Sequence, residues 1–141
     1  MREDDQAWLE AFISRHGAVA GTIHTLEAGD ETLSLGAAHR IPPPVLERVR
    51  AIPKGKGMAG LAWERDAPVS TCNLKTDETG DVRPGAKAVD AAAAVALPVH
   101  RDDQSFCGVV GIAFAGEREM AEDELAELHA EAEAFAKHWP T

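Results

Sequence analysis

The pattern of apolar and polar residues predicts a helix near each end of the chain and several strands between them. An apolar stripe at helical spacing, which includes Trp8 and Phe12, predicts a helix over residues 4–16. A second stripe, which includes Leu128 and Phe135, predicts a long helix over residues 119–139. Alternating or continuously apolar runs, bounded by turn residues, predict strands over residues 18–26, 32–39, 69–72, 95–99 and 105–115.

The predicted strands occur mainly as hairpins, with turns at residues 27–31 and 101–104. A sheet built from hairpins is mainly antiparallel, so we expect an α+β domain and not a doubly wound parallel one. In the strand over residues 32–39, alternation places four residues on one face. These are Leu33, Leu35, Ala37 and His39.

Three further stretches lie between the two hairpins. Residues 45–52 have helical spacing, and Pro53 is expected to end that helix. Residues 73–85 combine Asp, Gly, Pro and Thr with little periodicity, which predicts a long loop. Residues 86–93 are expected to form a short helix after it.

Residues 55–60 read GKGMAG, the G-x-G-x-x-G spacing of dinucleotide-binding loops. Such a loop follows a buried parallel strand, whereas here the preceding residues have helical spacing and include Pro53. We therefore favour a tight turn into a short helix over residues 58–65. An anion site remains an alternative, because Lys56 and free N–H groups would lie at that helix N-terminus.

Composition narrows the function classes. The chain has 141 residues, which suits one domain, and a formal net charge of −10, which argues against a broad nucleic-acid-binding face. It has no long apolar run and no apolar signal region, so we expect a cytoplasmic protein without a membrane partner. Cys72 and Cys107 lie far apart, and the histidines lack metal-ligand spacing, so neither a disulfide nor a metal site is predicted.

Several segments together resemble the GAF domain family, small sensory modules related in fold to PAS domains. The most specific is IPKGKGMAGLA at residues 52–62, followed by Ala67-Pro68-Val69. The others are residues 21–24 (GTIH), 33–39 (LSLGAAH), 41–46 (IPPPVL), 96–99 (ALPV) and 107–112 (CGVVGI). The likeness covers residues 18–115, so the resemblance implies a single GAF-like domain over residues 1–141 with flanking helices.

The resemblance implies an antiparallel sheet with the terminal helices on one face. On the other face, short helices and the loop at residues 73–85 would roof a small-molecule pocket. Family members bind cyclic nucleotides, bilins, haem, metabolites or nothing known, and many dimerise through their terminal helices. We therefore expect a non-catalytic sensory or regulatory module in signalling, with an unidentified ligand, no identified cofactor, and a homodimer or a partner signalling protein. The candidate pocket residues are His39, Met58, Leu61, Trp63, Cys72 and Val89.

Some of the candidate pocket residues could instead have purely structural roles. His24 and His39 are both considered as pocket groups, although a lone histidine is more often structural. Met58 and Trp63 could equally fill the core.

Two other functions stay open. Some stand-alone GAF-family proteins reduce free methionine sulfoxide with cysteines near the pocket, but the matching places here hold Met58, Ala59 and residues 88–94, without a cysteine. An enzyme is therefore not favoured, and no catalytic residue is assigned. The chain could also be a ligandless dimerisation module. Its interface would then include Leu125, Leu128 and Phe135, and the alternative is that these residues face the sheet.

Overall fold

A computed structural model of the chain describes residues 3–26, 29–71, 93–116 and 120–137. The strands are β1 (Ala20–Thr25), β2 (Thr32–His39), β3 (Ala51–Pro53), β4 (Val69–Thr71), β5 (Ala93–His100) and β6 (Phe106–Phe114). The helices are α1 (Glu3–Arg15), α2 (Pro43–Val49), α3 (Gly57–Arg65) and α4 (Glu122–Ala136). The predicted loop at residues 73–85 and nearly all of the helix predicted after it lie outside the described residues.

All six strands form one antiparallel sheet in the order β3-β2-β1-β6-β5-β4. The two predicted hairpins are present, and β1 pairs with β6 to join them in the middle of the sheet. β4 follows Pro68 and lies at one edge, where a strand needs fewer backbone donors. The predicted α+β class is therefore confirmed.

The helices α1 and α4 pack together on one side of the sheet, which we call the helix face. Leu9 and Phe12 of α1 and Leu128 of α4 are buried there against β5 and β6. Trp8 stacks on Phe135 with a centroid distance of 4.2 Å, which links the two helices. Leu128 of the apolar stripe of α4 thus packs inside the chain, whereas Leu125 and Phe135 are partly buried, and a dimer that uses this helix stays a prediction.

The predicted face of β2 is also wrong, because the strand contains a bulge. Ile23 pairs with Ala37, whereas the next residue, His24, pairs with Leu35. The extra residue reverses the alternation on either side of it. Leu33 consequently packs on the side of α3, and Ala37 packs on the helix face.

Residues 45–52 do not form one helix as predicted. α2 ends at Val49, and β3 then pairs with β2, with Ile52 opposite Leu33. The open edge of β2 supplies the backbone partners that stop the helix, since Leu35 N–H also donates to Arg50 O at 3.0 Å. A short antiparallel edge strand is not the buried parallel strand of a dinucleotide-binding fold, so that interpretation still fails.

His100, the last residue of β5, links the two sides of the sheet. Its Nε2 lies 2.6 Å from Oδ1 of Asp66, the C-cap of α3, and its Nδ1 lies 2.9 Å from Oε2 of Glu133 in α4. Partial burial opposes the charged form, but hydrogen bonds to Glu133 and Asp66 raise the pKa of His100 above its ordinary value. We call this link the His100 bridge.

We expect Gly21→Ala to destabilise the fold by about 2 kcal/mol. A Cβ atom at this position would lie 2.7 Å from Gly111 O and 3.0 Å from Ile13 Cδ1, so strand and helix would have to separate. Gly111→Ala is the matched control, because its Cβ would meet nothing closer than 3.6 Å. Urea denaturation measures both, and equal losses in the two variants would contradict the close approach.

Candidate functional site

A cavity of about 520 Å³ lies between the sheet and the helices α2 and α3, on the side opposite the helix face. This size is within the usual range for small-molecule sites. The side chains that enclose it are mainly apolar, with a few polar groups among them. The described lining comprises Gly21, Thr22, His24, Ile41, Val45, Arg48, Val49, Ile52, Lys56, Gly57, Met58, Ala59, Ala94, Val95, Ala96, Val109, Gly111, Ile112 and Ala113.

The cavity exists because β5 and β6 carry large residues toward the helix face and, apart from Val109, mainly small ones toward α2 and α3. Val95 and Leu97 pack on the helix face, while Ala94 and Ala96 lie on the floor of the cavity. In β6, Gly111 is likewise flanked by two large residues. Small side chains leave space above them that the helices do not fill. This alternation of size is visible in the sequence and could have located the floor, which our sequence analysis missed.

α2 forms one wall and is held at its C-terminal end by His24. Pro43 fits the first turn of α2, where a backbone N–H is not required. The Nε2 of His24 lies 2.8 Å from Val49 O, a carbonyl of the last turn that has no partner within the helix. This contact ties α2 to β1.

α3 forms the opposite wall, and the glycine turn before it has a structural role. Gly55 N–H donates to Gly60 O at 2.9 Å, and Lys56 N–H donates to Pro53 O at 3.2 Å. A Cβ atom at Gly60 would lie 2.5 Å from Pro53 O. The turn therefore uses two of its own N–H groups internally, which supports the tight-turn interpretation over a phosphate-cradling loop.

Among the described residues that line the cavity, His24 is the polar one that is buried. Its exposed fraction is 2%, and within the described part of the chain its Nδ1 has no hydrogen-bond partner. Burial lowers the pKa of His24 below its ordinary value, although the hydrogen bond to Val49 opposes this shift. The neutral ring donates from Nε2, which leaves Nδ1 as an acceptor.

The charged residues of the lining are both cationic. Arg48 projects from α2, and Lys56 is the N-cap of α3. No carboxylate occurs among the described residues that line the cavity, although the whole chain has a net charge of −10. The described part of the lining is thus positively charged, whereas the protein as a whole is acidic.

The structure places the predicted site residues unevenly. Met58 lines the cavity, whereas Leu61 and Trp63 pack beside it, with Trp63 stacked on Phe106 at 5.6 Å. His39 pairs with Gly21 at the far end of β2 and is not among the lining residues. The other two, Cys72 and Val89, lie outside the described residues, and a binding role for any of the six stays a prediction.

Cys107 is not among the described residues that line the cavity. It is 2% exposed and packs in the cluster on the helix face. Burial raises the pKa of its thiol to about 11, so the nucleophilic thiolate is disfavoured. Among the described residues, no group of three potential ligands could hold a metal ion, and no helix is long and apolar enough to cross a membrane.

Several solved structures are similar to this chain. The type II free methionine-R-sulfoxide reductase from Thermoplasma acidophilum has a TM-score of 0.74 at 17% identity, and the match covers 96% of this chain and 89% of that one. The free methionine-R-sulfoxide reductase of Staphylococcus aureus, in complex with its substrate, has a TM-score of 0.71 at 19% identity over 94% and 80%. The GAF domain from a phosphoenolpyruvate-protein phosphotransferase of Coxiella burnetii has a TM-score of 0.69 at 19% identity over 94% and 81%.

These similarities concern the fold. No family model and no curated protein matches the sequence. Because the neighbours include both GAF domains and reductases, the fold is compatible with a binding module and with an enzyme. The expected fold is confirmed, and the chain has the GAF fold.

We expect the buried His24 to make stability depend on pH. Between its lowered pKa and 6.5 the unfolded chain binds more protons than the folded chain, so the free energy of unfolding falls as the pH decreases through this window. Relative to His24→Leu, the wild type should lose up to about 1.4 kcal/mol per pH unit there. Urea denaturation from about pH 7 to about pH 5 measures this.

The matched control is His39→Leu, which removes a half-buried histidine at the end of β2. A difference between wild type and His24→Leu that does not change with pH would contradict the assignment of a neutral, buried imidazole.

Proposed function

We propose that this chain is a regulatory domain that binds a small molecule in the cavity and acts in signalling without catalysing a reaction. The observation that carries the proposal is the cavity of about 520 Å³, which has a floor of small residues and a lining that includes a buried histidine. A well-formed, mainly apolar pocket with a few polar groups is the usual form of a small-molecule site. The GAF fold of the chain is consistent with this role.

A methionine sulfoxide reductase activity is the alternative that the structural neighbours suggest. We favour binding, because cysteine catalysis needs an accessible thiolate near the substrate. Cys107 is buried on the helix face, and burial raises the pKa of its thiol to about 11. The chain thus offers, within its described residues, no cysteine at the cavity.

A regulatory domain must convey the state of its ligand to another surface, and we propose that the His100 bridge does this. α3 contributes Lys56 and Met58 to the cavity, and its C-cap Asp66 contacts His100. The same imidazole contacts Glu133 of α4. A displacement of α3 on binding would therefore be felt by α4, whose outer surface would face a second copy or a partner signalling protein in the cytoplasm.

We expect the neutral probe N-phenyl-1-naphthylamine to bind in the cavity and to gain fluorescence there. Gly111→Leu should weaken its binding by about tenfold or more, because the leucine side chain would extend from the floor into the space of the probe. Gly111→Ala is the control, since its Cβ would make only ordinary contacts. Equal affinities in both variants would show that the probe does not use the cavity, and absence of binding to the wild type would remove the proposal.

We also expect hydrogen exchange to report the coupling. Binding of the same probe should slow amide exchange in α3 and in α4 of the wild type. In His100→Gln it should slow exchange in α3 alone, because the glutamine lacks the charged bridge to Glu133 and Asp66. Protection of α4 that persists in this variant would contradict the role of the His100 bridge.

A further inference from the structure

The cavity combines an apolar floor with a cationic rim. Ala94, Ala96 and Ala113 present only methyl groups, while Arg48 and Lys56 are exposed residues of the lining. Neither cation has an ion-pair partner within the described part of the chain, although carboxylates are abundant elsewhere. A molecule that fits both parts would have an apolar body and an anionic group.

The N-terminus of α3 adds to the positive potential at this rim. Gly57, Met58 and Ala59 form its first turn and line the cavity, and N–H groups in a first turn have no acceptor within the helix. The N-cap residue Lys56 provides no side-chain hydrogen bond to them. Free N–H groups and the helix dipole both favour an anion at this place.

An independent observation on β1 also indicates a ligand. His24 lines the cavity, and its Nδ1 is a buried acceptor without a partner among the described residues. An unsatisfied buried acceptor is costly, so the ring is suited to a molecule that brings its own N–H or O–H. The other ring nitrogen is already engaged by Val49 O.

We propose that the cavity takes a small organic anion with an apolar body and a hydrogen-bond donor. The anionic group would lie at the N-terminus of α3, between Lys56 and Arg48. The body would lie on the alanine and glycine floor beside the imidazole of His24, and its donor would reach Nδ1, an atom covered in this structure, once the side chains over it move aside. This assignment of the ligand class rests on the proposed binding function and is narrower than it.

Two fluorescent probes that differ by one charge test the proposal. 1-Anilinonaphthalene-8-sulfonate is N-phenyl-1-naphthylamine with an added sulfonate, so both share the same apolar body, although the N–H of the sulfonate probe donates to its own sulfonate. The sulfonate probe should bind more tightly to the wild type. Lys56→Gln and Arg48→Gln should each weaken its binding by about fivefold, as for the loss of one exposed ion pair, and should leave the neutral probe unchanged.

Lys137→Gln is the charge-matched control, because it removes an exposed cation at the end of α4. If the two probes bind equally and the three glutamine variants behave alike, the anionic preference is wrong, while the binding function stands. If neither probe binds, or Gly111→Leu weakens neither of them, the binding function itself fails. The two failures are thus distinguishable.

Displacement of the sulfonate probe by other small molecules then tests whether the site prefers a carboxylate or a phosphate as the anionic group. Octanoate and octyl phosphate share their chain with octanol but add a carboxylate or a phosphate. Displacement by either anion at concentrations where octanol has no effect supports the proposal and shows which anion is preferred. Equal displacement by octanol would overturn it.

The donor to His24 has its own readout. In protein with 15N-labelled histidine, the Nδ1 resonance of His24 should shift on binding of the neutral probe, whose N–H is free, in the direction of a nitrogen that accepts a hydrogen bond. A resonance that stays unchanged when this probe is bound would remove this part of the proposal.

Discussion

The pairing of β1 with β6 is the contact on which the rest of the structure depends. It joins two hairpins that are far apart in the sequence, and it requires an unusually close approach at Gly21, whose missing side chain leaves room for Gly111 O and for Ile13 of α1. Long-range pairing of this kind must overcome the entropy of closing the intervening chain. Once β1 and β6 are paired, they form both the surface on which the terminal helices pack and part of the floor of the cavity.

The two sides of this sheet differ because side-chain volume differs. Large residues of β5 and β6, such as Leu97 and Val110, meet α1 and α4 in a close-packed core. Their small neighbours, such as Ala96 and Gly111, cannot fill the distance to α2 and α3. The same strands therefore provide a close-packed core on one side and a cavity on the other, and a fold leaves the chemistry of such a cavity to a few residues.

Electrostatics give the site its character. An acidic chain keeps two cations and a helix N-terminus at the rim of the cavity, where an anion is favoured. The environments of His24 and His100 shift the pKa values of their imidazoles in opposite directions. Burial lowers the pKa of His24, whereas the carboxylates of Glu133 and Asp66 outweigh partial burial and raise the pKa of His100. Burial thus favours the neutral form of His24, while the two ring nitrogens of His100 contact a carboxylate of α4 and the C-cap carboxylate of α3.

The sequence by itself determined the terminal helices, the hairpins, the antiparallel class and the turn before α3, because periodicity and turn residues are local properties. Strand register, pairing at the sheet edge and the grouping of residues around the cavity depended on the tertiary structure, because local patterns carry no information on them. The bulge in β2 reversed the face of Leu33 relative to Ala37, and the open edge of β2 turned residues 51–53 into a strand. The packing of the helices on the sheet also places Met58 beside Arg48 and His24 in the lining of one cavity, whereas Trp63 and His39 are not among its described lining residues. Such meetings depend on which strands pair and on how helices pack across them, and these long-range contacts leave no periodic signal in the chain.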